Sequence, residues 1–276
     1  MVGRAVTALA AAAAAALFFG GCGDDAKTKP TVPAGPKILH VVFPEGFTRA
    51  EMAGRIDAVR AIAERRRRVT PRITSAGYLA ATASSKLPGL YAGDGRRRPL
   101  EGFLFPAKYA FFSNETARHF VARQLTAFRS AFRHVDMRYA RSKNLTRYDV
   151  LIIASMIERE VVVPSERRLV AAVIYNRLHL HMPIGIDAAL RYGLGIPPTR
   201  SITKSDLASN SPYNVRKFTG LPPTPIGNPG LASIQAAADP AHVDYLYYAR
   251  KRDKRHHFFT ASYAAFEQFL AANGYG

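Results

Sequence analysis

One of two glutamates at the end of an apolar segment has the surroundings that acid–base chemistry needs. The stretch 150–157 is apolar nearly throughout and is followed closely by Glu158 and Glu160. On a helix, Glu158 shares a face with the small residues Ala154 and Ser155. Burial disfavours the charged form of a carboxyl group, and a carboxylic acid that keeps its proton at neutral pH can act as a general acid. Glu158 is therefore a candidate catalytic acid facing a cleft.

A structural role for Glu158 is also open, and these residues taken alone favour it. The side chain could end its helix in solvent, or it could pair with Arg159 or a later arginine. Glu160 lies two positions further on and lacks the same apolar face. We expect Glu160 to be an ion-pair partner.

Other catalytic chemistries find little support. His179 and His181 are two positions apart and cannot share a helical face, and no glycine-rich phosphate loop with a following lysine is present. The only cysteine, Cys22, lies near the N-terminus, where it cannot serve as a catalytic thiol in the body of the chain. We expect no metal and no cofactor.

Helix-start signals predict how the candidate acid is positioned. Thr146 and Asp149 have the spacing of a capping box, which opens a buried helix through the apolar stretch. Ser165 is the candidate N-cap of the next helix, with Glu166 in its first turn. A short loop then carries Asp187, and turn-rich segments further on offer tyrosine phenols and asparagine amides. Such uncharged groups suit a neutral sugar better than a phosphate backbone.

The N-terminal half reads as a small α+β module. A strand is predicted over 38–43, a capping box at Thr48 opens a helix toward Ile62, a strand follows over 100–106, and 115–132 has helical spacing. Before this module, the apolar run 5–19 ends near Cys22, and 23–37 reads as a polar, proline-containing linker. This start resembles a bacterial lipoprotein signal, and an uncleaved anchor or cleaved secretion stays open. Each of these alternatives exports the rest of the chain.

Composition limits the class of partner. The 276 residues carry 39 Lys and Arg against 20 Asp and Glu, a net charge of +19, with 48% hydrophobic residues. The chain can therefore bury a core, and its charge favours anionic partners. The basic runs 65–68 and 96–98 are not interleaved with aromatic residues, which, together with export, argues against nucleic acid. A single cysteine excludes a disulfide framework within the chain.

Several segments, in this order, resemble the bacterial endolytic murein transglycosylases of the YceG-like family. The matching segments are 100–106, 154–160, 165–167, 173–178, Asp187, 213–214, 220–223, 228–230, 245–248 and 257–259. The resemblance implies an α+β fold in which a small module similar to a peptidoglycan-binding LysM unit precedes a larger catalytic domain. The boundaries expected are a signal or membrane anchor over 1–22, a linker over 23–37, the LysM-like module over 38–98 and the catalytic domain over 99–276.

Carried over by position, the resemblance assigns the catalytic glutamate to Glu158. The substrate-binding positions that it implies are Ser155, Tyr175, Asn176, Asp187, Tyr213, Asn214 and Asn228. The sequence departs from the family at 185–189, which reads Gly-Ile-Asp-Ala-Ala where the family has Gln-Ser-Asp-Pro-Thr.

The implied reaction cleaves the β-1,4 bond after N-acetylmuramic acid in peptidoglycan strands and leaves a 1,6-anhydro end. The implied location is the outer face of the cell membrane, with the N-terminus as anchor and peptidoglycan synthases as candidate partners. The family usually has a plain spanning helix at its N-terminus, and this sequence departs from it in the signal that ends at Cys22, the candidate lipidation site. Two alternatives stay open: a hydrolytic muramidase on the same fold, with Glu166 or Asp187 positioning water, and a non-catalytic lipoprotein that binds peptidoglycan or another anionic wall polymer.

Overall fold

A computed structural model of the chain describes residues 35–83, 85, 86, 91 and 97–275. The signal or anchor expected over 1–22, including Cys22, lies outside these residues, as does most of the linker expected over 23–37. Among the helices that are described, none has both the length and the apolar character needed to cross a bilayer.

Helices form most of the fold, with short antiparallel strand pairs between them. The strands are β1 (Ile38–Val42), β2 (Ser85–Lys86), β3 (Arg97–Arg98), β4 (Lys108–Phe112), β5 (Tyr247–Arg250) and β6 (His257–Thr260). The helices are α1 (Arg49–Arg67), α2 (Ser75–Ala83), α3 (Ala117–Phe132), α4 (Arg138–Ser142), α5 (Arg147–Glu160), α6 (Arg167–His179), α7 (Asp187–Leu194), α8 (Lys204–Ala208), α9 (Leu231–Ala238) and α10 (Tyr263–Ala272). The pairs are β1 with β4, β2 with β3 and β5 with β6, and the mixed content agrees with the α+β class expected from the sequence.

The β1–β4 pair lies over an aromatic cluster. Phe43 follows β1 and packs against Tyr78, Tyr109 and Phe120 at ring-centroid distances of 6.1 to 6.3 Å. Exposure alternates along β1, so the predicted strand is confirmed but only one of its faces is buried. Such alternation is what a sheet packed on one side produces.

Helix α5 is the central element of the fold and carries both glutamates at its C-terminal end. It packs against α6, α7 and α9, and every residue from Val150 to Ile157 is buried. The capping boxes predicted at Thr48 and Thr146 are both present, with the Thr146 side chain accepting from the backbone N–H of Asp149. Local signals thus set where α1 and α5 begin.

Three local predictions need correction. The segment 100–106 is mainly turns: its backbone N–H groups donate to the C-terminal end of α2, to the carbonyl of Leu100 and to the side chain of Asn228, and not to a neighbouring strand. Ser165 lies inside a single 3₁₀ turn, Pro164–Glu166, which precedes α6, so it does not cap that helix. Asp187 is the first residue of α7 rather than part of a loop.

Residues Pro36–Gly276 form one compact unit. Within it, β1 belongs to the expected LysM-like module over 38–98, whereas its partner β4 belongs to the expected catalytic domain over 99–276. The strand pairing therefore joins the two expected domains in one sheet.

Candidate active site

A cavity of about 870 Å³ lies beside the C-terminal end of α5. Its wall draws on α5, α6, α7, both strands of the β5–β6 hairpin and α10. A pocket of this size falls in the range that holds small ligands or part of a polymer. The polar and charged residues of the wall are Arg159, Glu160, Arg177, Asp187, Arg191, Arg216, Tyr248, Arg250, His257 and Tyr275.

Glu160 is the carboxyl of the wall that has the properties of a general acid. The pKa of Glu160 is raised to about 7, mainly by burial; the nearby charge of Asp187 also raises it, whereas Arg250 and Arg216 lower it. Within the described residues, no ion pair within 4.0 Å and no hydrogen bond engages its carboxyl group. The expectation that Glu160 is an ion-pair partner is therefore wrong, and its side chain lines the cavity instead.

Asp187 is the second carboxyl of the wall. It occupies the first turn of α7, where a helix favours negative charge, and it is paired with Arg216. The preceding backbone is tightly placed: Gly185 has φ +79°, and a Cβ on it would lie 2.7 Å from Nη1 of Arg177. Glycine at this position permits the chain to pass close to Arg177 before α7 begins.

A buried pair closes the wall beside the β5–β6 hairpin. Nδ1 of His257 is 2.6 Å from Oε2 of Glu166, and the backbone N–H of His257 donates to the other oxygen of Glu166 at 3.0 Å. Nε2 of His257 is buried and has no hydrogen-bond partner in the described part of the chain. Tyr248 packs edge-on to the imidazole, and burial raises the pKa of its phenol. Because both oxygens of Glu166 are engaged, this glutamate anchors β6 to α6 and has no free oxygen to position water.

Glu158 points to a different region of the molecule. Its side chain is 7% exposed, its Oε2 accepts from the backbone N–H of Gly230 at 3.0 Å, and its Oε1 lies 3.7 Å from Nη2 of Arg167. Gly230 caps the N-terminus of α9. The structure does not bring Glu158 to the cavity that Glu160 lines; instead, its carboxylate joins α5 to α9 and α6.

Glu45, in the turn after β1, completes this junction. A Cβ on Gly230 would overlap the carboxylate of Glu45, so the two chain segments are in close contact. Burial and the neighbouring Glu158 raise the pKa of Glu45, and Arg167 lowers it. We refer to Glu45, Glu158, Arg167 and Gly230 as the polar junction.

The structure separates the substrate-binding positions implied by the resemblance into two groups. Asp187 lines the cavity. The remaining six direct their side chains to the protein's own backbone or to another side chain, which assigns them to packing rather than to an open sugar surface. They are Ser155, Tyr175, Asn176, Tyr213, Asn214 and Asn228.

The hydrogen bonds of these residues show what they do instead. Tyr175 donates to the carbonyl of Ala237 at 2.7 Å, and Asn176 donates to the carbonyls of Val243 and Tyr245, each at 2.9 Å. The amide of Asn214 donates to the carbonyls of Leu207, in α8, and of Ser209, just after α8. These bonds join α6 to α9 and hold loops against α6 and α8, and they leave no donor of these side chains free for a sugar.

Asn228 is fully buried at a junction of three segments. Its Oδ1 accepts from the backbone N–H of Leu104 at 2.9 Å, and its Nδ2 donates to the carbonyl of Phe47 and to Glu101. Ser155 donates to the carbonyl of Ile152 and accepts from the backbone N–H of Ile226. Both residues therefore fix the 225–230 loop to the rest of the fold.

Sequence reasoning missed most of the cationic wall of the cavity. Arg177, Arg216 and Arg250 are scattered over α6, a loop and the end of β5, and no local spacing relates them. A signal for Glu160 was present, because it follows Glu158 by two positions and so lies about 200° around the helix. The two side chains therefore point to opposite sides of the helix, and the sequence does not show which side faces a cavity.

Comparisons with known proteins agree with the resemblance. The model of the YceG-like family matches residues 25–272. An endolytic murein transglycosylase of Bacillus subtilis (strain 168) is 36% identical over 155 residues, which cover 56% of this chain and 43% of that protein. One from Streptococcus pneumoniae (strain ATCC BAA-255 / R6) is 30% identical over 235 residues, 78% of this chain and 41% of that protein. The chain thus spans about two fifths of the length of these curated relatives.

A solved structure shows a similar fold. The crystal structure of a yceG-like protein from Listeria monocytogenes at 2.6 Å superposes with a TM-score of 0.68 and 27% sequence identity. The match covers 84% of this chain and 76% of that one.

Proposed function

The chain belongs to the YceG-like family, and from that premise we propose that it is an endolytic murein transglycosylase whose general acid is Glu160. Its substrate is the glycan strand of peptidoglycan. The bond cleaved is the β-1,4 bond between N-acetylmuramic acid and N-acetylglucosamine, and the product is a 1,6-anhydro end. The curated relatives named endolytic murein transglycosylase support this activity.

One observation carries the assignment of the acid. Glu160 lines the large cavity, has a pKa raised to about 7 by burial, and has no ion-pair partner within the described residues. Glu158 has the opposite surroundings, because Gly230 and Arg167 engage its carboxylate away from that cavity. An acid with a pKa near the working pH both holds and releases its proton readily. This proposal replaces Glu158, the glutamate expected from the sequence, with Glu160.

In the proposed mechanism, the glutamate moves one proton in each direction. Glu160 gives its proton to the leaving glycosidic oxygen, and the 2-acetamido group of the muramic acid stabilises the anomeric carbon. The ionised Glu160 then takes the proton of the C6 hydroxyl, whose oxygen attacks the anomeric carbon of the same ring. Attack within one ring has a high effective molarity, so the reaction needs neither water nor a second catalytic carboxylate.

A hydrolytic muramidase is the second candidate, and the position of Asp187 favours it. Ordinary glycosidases place two carboxyl groups on either side of the bond, and Asp187 lines the same cavity as Glu160. In that mechanism Asp187 would position a water molecule in place of the C6 hydroxyl. Arg216 already pairs with Asp187, which makes the carboxylate less available as a base and favours the transglycosylase.

Digestion of purified glycan strands separates these mechanisms. The masses of the products are compared, because an anhydro end lacks one water relative to a reducing end. We expect anhydro ends with the wild type and a strongly reduced yield of them with Glu160→Gln. Reducing ends would support the muramidase, and strands that bind without being cut would support the non-catalytic wall-binding protein.

The same proposal includes the location and the partners. We propose that residues 1–22 anchor the protein to the cell membrane, with Cys22 as the lipidation site, and that the catalytic domain lies on the outer face. We further propose that the β1–α2 region, within 38–98, binds peptidoglycan as a LysM-like module and that peptidoglycan synthases are partners. Fractionation of cells that produce the Cys22→Ala variant tests the anchor, because loss of lipidation would release the protein from the membrane only if Cys22 carries the lipid.

A further inference from the structure

The wall of the cavity carries more positive than negative charge. Among the described residues, five arginines line it, against the two carboxyl groups of Glu160 and Asp187. Confined positive charge in a concave site attracts anionic groups. A neutral sugar chain would not pair with this charge. The partners of each arginine therefore need to be considered in turn.

Four of the five arginines already have partners. Arg216 is paired with Asp187, and Arg159 is paired with Glu51 at 3.2 Å. Arg177 donates to the carbonyls of residues 183, 184 and 246, and Arg191 donates to those of residues 197 and 200. The carbonyls accept the hydrogen bonds of these two guanidinium groups but do not neutralise their positive charge. Burial lowers the pKa of Arg177.

Arg250 differs from the other four. It is the last residue of β5, where it pairs with His257 of β6, and it is exposed. Its guanidinium makes no hydrogen bond or ion pair with any residue in the described part of the chain. It is also the first of the nearby charges that act on Glu160. A guanidinium presents a planar fork of donors that matches a carboxylate in a bidentate pair.

We propose that Arg250, supported by the uncompensated charge of Arg177 and Arg191, forms a subsite for a carboxylate carried by the muramic acid whose bond is cut. This inference rests on the proposed function, because it takes Glu160 as the acid at the glycosidic oxygen. The muramic acid ring that bears the broken C1 bond also bears the lactyl group at C3, so this substituent enters the same cavity as the ring on which Glu160 acts.

Two carboxylates could fill this subsite, and they share the same chemistry. In strands without peptides the lactyl carboxylate is free, whereas in peptide-bearing strands the lactyl group is an amide and the carboxylates lie on the peptide. A cavity of about 870 Å³ has room for substituents beyond a single sugar ring. The enzyme would thereby recognise the substituted sugar through charge, in addition to the glycan backbone.

Binding in an inactive background tests the subsite without turnover. The Glu160→Gln protein is titrated with soluble, uncross-linked strands whose amines are acetylated, either with free carboxylates or with every carboxylate converted to the methylamide. We expect the carboxylate strands to bind about tenfold more tightly or better, and we expect the difference to shrink as salt is raised. Strands freed of peptide, which carry the lactyl carboxylate alone, identify which carboxylate is recognised.

Matched charge-removing variants decide the role of Arg250. Adding Arg250→Gln should abolish the preference for carboxylate strands, whereas adding Arg255→Gln should leave it unchanged. Arg255 is exposed on the same hairpin, carries the same charge and does not line the cavity. Because Arg250 is exposed, its replacement is not expected to unfold the protein, and equal melting temperatures for the two variants check this.

The outcomes separate this inference from the proposed function. If Arg250→Gln keeps the preference, or if the Glu160→Gln protein binds both kinds of strand equally, the carboxylate subsite is wrong. If the subsite is wrong in this way but the wild type still cuts both kinds of strand, the proposed transglycosylase activity is retained and only the subsite is rejected. If the preference is present and depends on Arg250 but the wild type cuts no strand, the subsite stands and the proposed function fails.

Discussion

The polar junction and the cavity contrast sharply, although each receives a glutamate from the same helix turn. At the polar junction, Glu158 is 7% exposed and meets the N–H of Gly230 and the guanidinium of Arg167. In the cavity, Glu160 has no such partner within the described residues, and burial raises its pKa to about 7. Two glutamates that are two positions apart on one helix thus have different roles, because different segments pack against the two sides of the helix end.

A pair of isosteric substitutions gives the largest expected difference between the two regions. Glu160→Gln removes the proton that the mechanism transfers, and we expect kcat on glycan strands to fall by about 10² to 10⁴-fold. Glu158→Gln should leave kcat close to that of the wild type and lower the free energy of unfolding by about 1–3 kcal/mol, since it weakens bonds to Gly230 and Arg167. Anhydro-product formation and urea denaturation measure the two effects.

The opposite result would reverse the assignment of the acid. If Glu158→Gln abolished cleavage in a folded protein while Glu160→Gln remained active, the glutamate expected from the sequence would be the acid after all. The comparison is controlled internally, because both variants exchange a carboxyl group for an amide on the same helix turn.

The pH dependence of cleavage sharpens the comparison further. The free enzyme must hold its proton on Glu160, so kcat/KM should be level below pH 7 and fall about tenfold per pH unit above it. Since Arg250 lowers the pKa of Glu160, Arg250→Gln should move the alkaline limb to higher pH. A profile that Arg250→Gln leaves in place would show that another group controls the limb.

The raised pKa of Glu160 also makes the stability of the fold depend on pH. The folded state holds the proton of Glu160 up to about pH 7, whereas an unfolded chain releases it near the ordinary value of 4.5. The folded state therefore binds more protons between these values, and this group's contribution to the free energy of unfolding falls as the pH rises from about 4.5 to about 7.

Glu101 shows that a raised pKa alone does not identify an acid. Burial raises its pKa to about 7, as for Glu160, but Glu101 is 3% exposed and accepts from the backbone of Arg49, the amide of Asn228 and the phenol of Tyr192. Glu101→Gln would place an amide donor among these donors. We expect a loss of about 1–3 kcal/mol in the free energy of unfolding, with kcat of the folded protein retained.

Denaturation and single-turnover cleavage separate the two effects of Glu101→Gln. The contrast with Glu160→Gln is the informative one, because the two glutamates share a pKa and differ in access to the cavity. If a folded Glu101→Gln protein had lost turnover, access to the cavity would be the wrong criterion for telling the catalytic glutamate from the structural one.

Local signals in the sequence predicted the scaffold better than the site. The capping boxes at Thr48 and Thr146 and the burial of α5 depend on residues close in the chain, and all three are confirmed. The segment 100–106 is apolar like a strand, but Asn228 binds its backbone from 124 positions away and holds it in turns. Such a long-range partner leaves no trace in local periodicity.

The site was harder to predict for the same physical reason. Polar residues on loops, such as Asn176 and Asn214, look like ligand groups in a sequence, yet a loop must satisfy its own buried carbonyls. The direction of a side chain at a helix end likewise depends on distant segments, here Gly230 on one side and the β5–β6 hairpin on the other. Asp187 lines the cavity, and its pairing with Arg216 was not anticipated from the sequence.

The smallest expected effect tests whether the residues assigned to packing belong to the scaffold. Tyr175 is buried and donates to the carbonyl of Ala237 at 2.7 Å, tying α6 to α9. Tyr175→Phe should lower the free energy of unfolding by about 1 kcal/mol, because it removes one buried hydrogen bond, and should leave KM for glycan strands unchanged. Tyr263→Phe, at an exposed phenol, is the control and should alter neither quantity. If Tyr175→Phe instead raised KM and left the stability at the wild-type value, Tyr175 would belong to the sugar-binding residues and not to the scaffold.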